Sequence, residues 1–236
     1  MDWYGLVPPG PAASSTGRGL KVAVVDTGVN FEHPHLSIPG DGVVIEWDDL
    51  DGLVVRPGQH RDRIGHGTCC AAIVHLLAPD ATLYGIRVTA DRPTTDVDRL
   101  ARGIDQGVEV QAQVILVALG APADHGGRLA RAVNRAMEQG VVVVAPDPGT
   151  PVYPAACPGV VSVRAATGVD VTKGPQGFLA DGRARPMDTP GPPPPNFSGP
   201  SLSAARAAAA VLRFAESSGL RGPELVEGFS KLLEVR

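Results

Sequence analysis

The chain has 236 residues, 43% of them hydrophobic, and a formal net charge of -4. That is enough material for one sizeable core in one domain, and the mild acidity, without any basic run or stripe, argues against a nucleic-acid partner. No apolar run reaches the roughly 18 residues that a membrane-spanning helix needs.

Residues 1–20, "MDWYGLVPPGPAASSTGRGL", read as an N-terminal extension to a single domain over 21–236. They lack the basic start and apolar stretch of a secretory signal, so a cytoplasmic protein is expected. The first strand is predicted at "KVAVV" (21–25), followed by "VVIEW" (43–47), "TLYGIR" (82–87), "QVILVA" (113–118), "VVVVA" (141–145) and "GVVSVR" (159–164). These runs are almost continuously apolar, as in strands buried on both faces. Helices are predicted over 67–77, 95–107, 126–139 with Gly140 ending the last of these, 201–217 and 222–233. The alternation implies an α/β fold with a mostly parallel sheet and helices on both faces. The stretch 183–200, with four consecutive prolines from Pro192 to Pro195, reads as an extended surface loop within the domain.

Three segments carry chemistry. In "KVAVVDTGVNFEHPHL", Asp26 falls at a strand's carboxyl end, where parallel sheets place functional groups; a turn-capping aspartate would look the same. In "GHGTCCAAIV", His66 stands between two glycines at the start of a small-residue helix. Cys69 and Cys70 follow it, but a zinc site needs about four ligands and the chain offers no second Cys/His pair at suitable spacing. Adjacent cysteines bridge only with strain, so reduced, buried thiols are expected. In "SGPSLSAARAAAAVL", Ser201 opens an alanine-rich helix, where it serves either as an N-cap or as a nucleophile at the positive end of the helix dipole. An Asp, a His and a Ser in Gly-containing turns form the set for nucleophilic acyl transfer, and that chain order is one known solution.

The three segments resemble the motifs of the subtilases, the subtilisin-like serine proteases. "VAVVDTGVNFEHPHL" is similar to the family's V-A-V-I-D-T-G-I-D-x-x-H-P-D-L, "GHGTCCAA" to G-H-G-T-H-x-A-G, and "SGPSLSAARAAAAVL" to G-T-S-M-A-x-P-H-V-A-G-A-A-A-L. The likeness extends through "VILVALG", "GVVVVAPDPGTPVYPAACPGVVSV" and "DTPG", roughly from Lys21 to Leu233. It implies a three-layer subtilisin-like fold with Asp26, His66 and Ser201 as a catalytic triad. It also implies that Ala118, Leu119 and Gly120 pair with a peptide or protein substrate bound as an extended strand. No cofactor and no metal ion are expected. Cys70 matches a position where some subtilases carry a free cysteine beneath the histidine.

The departures bear on activity. The family's A-A-G-N, whose Asn supplies half the oxyanion hole, is replaced by "APDPG", so that the Asn position falls on Asp147, Pro148 or Gly149. An ionised Asp147 would repel an oxyanion and a protonated one could donate to it, while the Ser201 backbone N–H remains as a donor. Pro200 replaces the Thr before the nucleophile, Ala205 and Arg206 replace Pro-His, and Ala118 replaces the Ser of S-L-G. No inhibitory pro-domain is expected, and "DDLDG" (48–52) reads as a solvated turn rather than a calcium loop. Two functions are consistent with this pattern. One is an attenuated or narrowly specific intracellular endopeptidase, for instance one that processes a peptide precursor; the other is a pseudoenzyme that binds peptides or serves as a scaffold.

Overall fold

The computed structural model describes residues 14–184 and 198–234. Most of the predicted proline-rich loop, Pro192 to Pro195 and the "DTPG" segment included, lies outside the described residues, as do residues 1–13 of the N-terminal extension. In chain order the elements are β1 (Lys21–Asp26), β2 (Asp41–Asp48), β3 (Gly52–Pro57), α1 (His66–Leu77), β4 (Thr82–Arg87), α2 (Val97–Glu109) and β5 (Val114–Val117). A short 3-10 turn at His125–Gly127 then leads into α3 (Arg128–Glu138), β6 (Val142–Pro146), β7 (Val161–Ala165), β8 (Thr172–Gly174), β9 (Gly177–Ala180), α4 (Pro200–Ser218) and α5 (Gly222–Glu234).

The strands form one sheet in the order β3-β2-β4-β1-β5-β6-β7-β9-β8. Every pairing from β2 to β9 is parallel, and an antiparallel hairpin partner closes each edge. The six expected strands are all present. Three were not anticipated: β3, whose residues are half-buried, and the short β8 and β9. The "DDLDG" segment is the turn between β2 and β3, with the Asp48 carboxylate accepting the N–H groups of Leu50 and Asp51.

Side chains alternate across each central strand and bury both faces. Val22, Val24, Val114, Leu116, Val142 and Val144 pack under α1, α4 and α5, while Ala23, Val25, Ile115, Val117 and Val143 pack under α2 and α3. This is the three-layer arrangement that the continuous apolar runs imply. Helix α4 is buried along most of its length, and its run of alanines lets it lie close to both α1 and the sheet. In-register parallel pairing brings the carboxyl ends of β1, β5 and β6 to one edge, so Asp26, Ala118 and Asp147 emerge there together.

Candidate active site

Asp26, the last residue of β1, is fully buried. A buried carboxylate needs partners to stay charged, and it has them. The N–H of Thr27 donates to Oδ1 at 2.6 Å, and His66 Nδ1 lies 2.8 Å from both carboxylate oxygens. With Nδ1–H facing the carboxylate, the other ring nitrogen is left as an acceptor. The Asp26 charge raises the His66 pKa above its ordinary 6.5, against the opposing effect of burial, with a smaller contribution from Asp62. The imidazole keeps 16% of its surface exposed, enough to be reached from outside.

His66 is the first residue of α1, and the start of that helix is anchored by a carboxylate the sequence reading passed over. Gly65 caps the helix without a side-chain bond, so its orphan N–H groups need other acceptors. Asp62 supplies those of Gly65 and Thr68. Its Oδ1 accepts from the N–H groups of Ile64 and Gly65 and from the Thr27 hydroxyl, and its Oδ2 accepts from the N–H and hydroxyl of Thr68. Thr27 in turn accepts the N–H of Gly67 at 2.9 Å. An acidic residue just before a helix start is a capping signal, and "RDRIGHGT" carried it. Gly67 is needed for close approach: a Cβ there would fall 2.2 Å from the Gly28 carbonyl oxygen and 2.9 Å from the Asp26 Cβ.

Ser201 is the second residue of α4, after Pro200 at the first helical position. It does not cap the helix. Gly199 occupies the cap position at φ 128°, a region essentially reserved for glycine, and no side chain caps the turn. The Ser201 hydroxyl donates to the Ala118 carbonyl at 2.9 Å. Its backbone N–H has no acceptor among the described residues, whereas those of Leu202 and Ser203 bond back to the Gly199 carbonyl. An N–H at this place, the positive end of α4, is suited to donate to an anion.

Beyond Ala118 the chain turns outward. The N–H and C=O of Ala121 bond to Tyr153, while the backbone groups of Leu119 and Gly120 make no backbone hydrogen bond among the described residues. Leu119 and Gly120 therefore present a short stretch of main chain next to Ala118, whose own N–H donates to the Val25 carbonyl and whose carbonyl accepts the Ser201 hydroxyl. Asp147 is engaged elsewhere. Its Oδ1 accepts the Gly149 N–H at 2.7 Å, and its Oδ2 pairs with Arg164 at 2.8 Å. The pair stands between two clefts of about 270 and 240 Å³ that share Asp147, Arg164 and Gln176 as lining. Both partners of Asp147 are donors, so its two carboxylate oxygens are engaged as acceptors there.

The thiols are packing groups. Cys70 lies with Asp26 and His66 in a cluster whose ligand-type atoms are within 4.8 Å of one another, and its Sγ is 4.0 Å from the Ser201 carbonyl oxygen. Three donors, with both Asp26 oxygens already facing His66 Nδ1, fall short of a tetrahedral metal shell. Burial, then the Asp26 charge, pushes the Cys70 thiol well above its usual value and takes Cys69 up to about 12.

A family model described as "Subtilase family" matches residues 17–218. Minor extracellular protease Epr of Bacillus subtilis (strain 168) is 32% identical over 167 residues, 65% of this chain and 24% of that protein. Thermitase of Thermoactinomyces vulgaris is 34% identical over 139 residues, covering 55% of this chain and 47% of its own, and Subtilisin Savinase of Lederbergia lenta is 34% identical over 149 residues, covering 57% and 51%. The chain thus spans between about a quarter and a half of the length of these relatives. The crystal structure of a cold adapted subtilisin-like serine proteinase superposes with a TM-score of 0.70 at 19% identity, over 91% of this chain and 82% of that one, which establishes the fold. With the family match running over most of its length and the Asp and His motifs in contact in space, this chain belongs to the subtilase family.

Proposed function

We propose that the protein is a serine endopeptidase in which Ser201, His66 and Asp26 carry out acyl transfer. The observation that carries this reading is the His66 Nδ1 contact, at 2.8 Å, with both oxygens of the fully buried Asp26, at the mouth of the helix that faces Ser201. An extended peptide lies along Ala118, Leu119 and Gly120, and Ser201 Oγ attacks its carbonyl carbon. His66 takes the hydroxyl proton and returns it to the leaving amine, and Asp26 stabilises the imidazolium that forms between these steps. The Ser201 N–H receives the oxyanion. Water then repeats the sequence on the acyl-enzyme.

Hydrolysis is slow or narrowly specific, because Asp147 is held by Arg164 and supplies no second oxyanion donor. Subtilisin is itself the type case for this effect, and loss of one such donor there costs about 10²–10³ in turnover. Processing of a peptide precursor suits an enzyme of this kind. The three free thiols suit a reducing compartment, so we place the protein in the cytoplasm.

One observation favours a second reading, a peptide-binding pseudoenzyme: the Ser201 hydroxyl is donated to Ala118 rather than to His66. A fluorophosphonate probe separates the two. The peptidase labels at Ser201, loses the label in Ser201→Ala and loses most of it in His66→Ala. Absence of labelling, with an extended peptide still bound, establishes the pseudoenzyme instead.

A further inference from the structure

Arg206 stands where the family motif has a histidine, one and a half turns beyond Ser201 on the same helix. A guanidinium only 2% exposed is costly to bury unless its donors are used. Its Nε donates to the Asp181 carbonyl at 2.8 Å and its Nη2 to the Arg183 carbonyl at 2.7 Å. Those carbonyls belong to the arm that follows β9, and the arm pairs with the residues just before the nucleophile. The Gly199 N–H donates to the Gly182 carbonyl at 2.8 Å, and Arg183 bridges to Ser198. The arm is itself stiffened by the buried Asp181 carboxylate. That group is held at a pKa of about 2: burial opposes its charge, but the Arg183 side chain and the N–H groups of Arg183 and Gly168 outweigh that opposition.

This ring replaces something missing locally. The turn into α4 has Pro200, without an N–H, in place of the family's Thr, and Gly199 carries no capping side chain. The 128° φ of Gly199 aims the Ser201 N–H and hydroxyl, and among the described residues the one side-chain bond from that turn to Gly199 is the long one, 3.4 Å, from the Ser203 hydroxyl to its carbonyl. We propose that Arg206 is a positioning residue for Ser201: by clamping the 181–183 arm to α4, it holds Gly199 and so the nucleophile and its oxyanion donor. The catalytic part of this inference rests on the peptidase reading; the positional part does not.

Two measurements on Arg206→Met, which keeps the apolar stem and removes the donors, test it. Hydrogen exchange at the Gly199 amide, read by NMR, rises by an order of magnitude or more while the amides of β1 and β5 keep their protection. The rate of fluorophosphonate labelling, corrected for folded fraction, falls about a hundredfold, as expected when a reacting group shifts by about 1 Å. Arg206→Lys, which can reach one of the two carbonyls, recovers part of both effects. If wild type does not label, the peptidase reading fails and the exchange measurement still decides the clamp. If Arg206→Met does not fold, Gly182→Ala carries the test, since its Cβ would fall 2.9 Å from the Gly199 carbonyl oxygen and displace the same turn without touching Arg206. Unchanged Gly199 exchange or unchanged labelling in a folded variant overturns the proposal.

Discussion

The contact between Asp26 and His66 depends on a hydrogen atom's worth of space at Gly67, and Gly67→Ala tests that dependence. The new Cβ would fall 2.2 Å from the Gly28 carbonyl oxygen, against a floor near 3.0 Å for real contacts, and 2.9 Å from the Asp26 Cβ. Asp26 ends β1 and Gly28 lies in the turn after it, and neither contact is the end of a flexible side chain, so α1 must retreat by roughly 1 Å. His66 moves with it, and its 2.8 Å bonds to Asp26 stretch. Overpacking of this kind costs about 1–3 kcal/mol, which in a chain of this size lowers the melting temperature by about 2–12 °C. A displacement of about 1 Å at a catalytic group costs about 10² in rate. The assay is the rate of Ser201 labelling by a fluorophosphonate, with the folded fraction fixed by near-ultraviolet circular dichroism. A folded Gly67→Ala that labels within about threefold of wild type would refute the reasoning, since it falls far short of the displacement cost.

Four other outcomes follow from the same structure. Because Asp26 raises the His66 pKa and a general base must be neutral, labelling reaches half its maximum above pH 6.5; Asp26→Asn moves that midpoint down and slows the reaction about 10⁴-fold. Stability runs the other way: the His66–Asp26 ion pair contributes fully below pH 6.5 and is lost as the pH rises through the raised value, which thermal unfolding against pH detects. Asp147→Asn leaves labelling within a few-fold of wild type, because that side chain is turned to Arg164 and the Gly149 N–H; a rise of about 10² would instead place the new amide at the oxyanion. In the native protein Cys69, with its pKa near 12, Cys157, raised to about 11, and the fully buried Cys70 resist iodoacetamide at pH 8, and all three alkylate on denaturation; mass spectrometry counts the adducts.

The central sheet was legible because strands buried on both faces are apolar at every position, so "KVAVV" and "VVVVA" declare themselves. The edge strands were not, since β3 alternates weakly and stays half-buried, and β8 and β9 are too short for a period to emerge. Asp26 and His66 were readable from their turns because both lie where an element begins or ends. The roles of Asp62 and Arg206 were hidden for a physical reason: their partners are mainly backbone N–H and carbonyl groups, which any residue type provides. Asp147 could be read as the residue near a missing Asn. Its commitment to Arg164 depends on the register of β6 against β7, which sequence spacing does not reveal.

The distances along the chain between the groups at this site have a kinetic meaning. His66 and Asp26 are 40 residues apart, Ser201 and Ala118 are 83 apart, and Cys70 meets the Ser201 carbonyl across 131. Contacts this far apart in sequence form late, because the loops they close must be ordered first. A chain growing from its N-terminus acquires Asp26 and His66 early but gains Ser201 only when α4 is complete and packs beside α1 on the sheet. On the peptidase reading, reactivity toward the probe therefore requires α4 to be docked and is lost when α4 loosens. Recovery of probe labelling after dilution from denaturant would time the docking of that one helix.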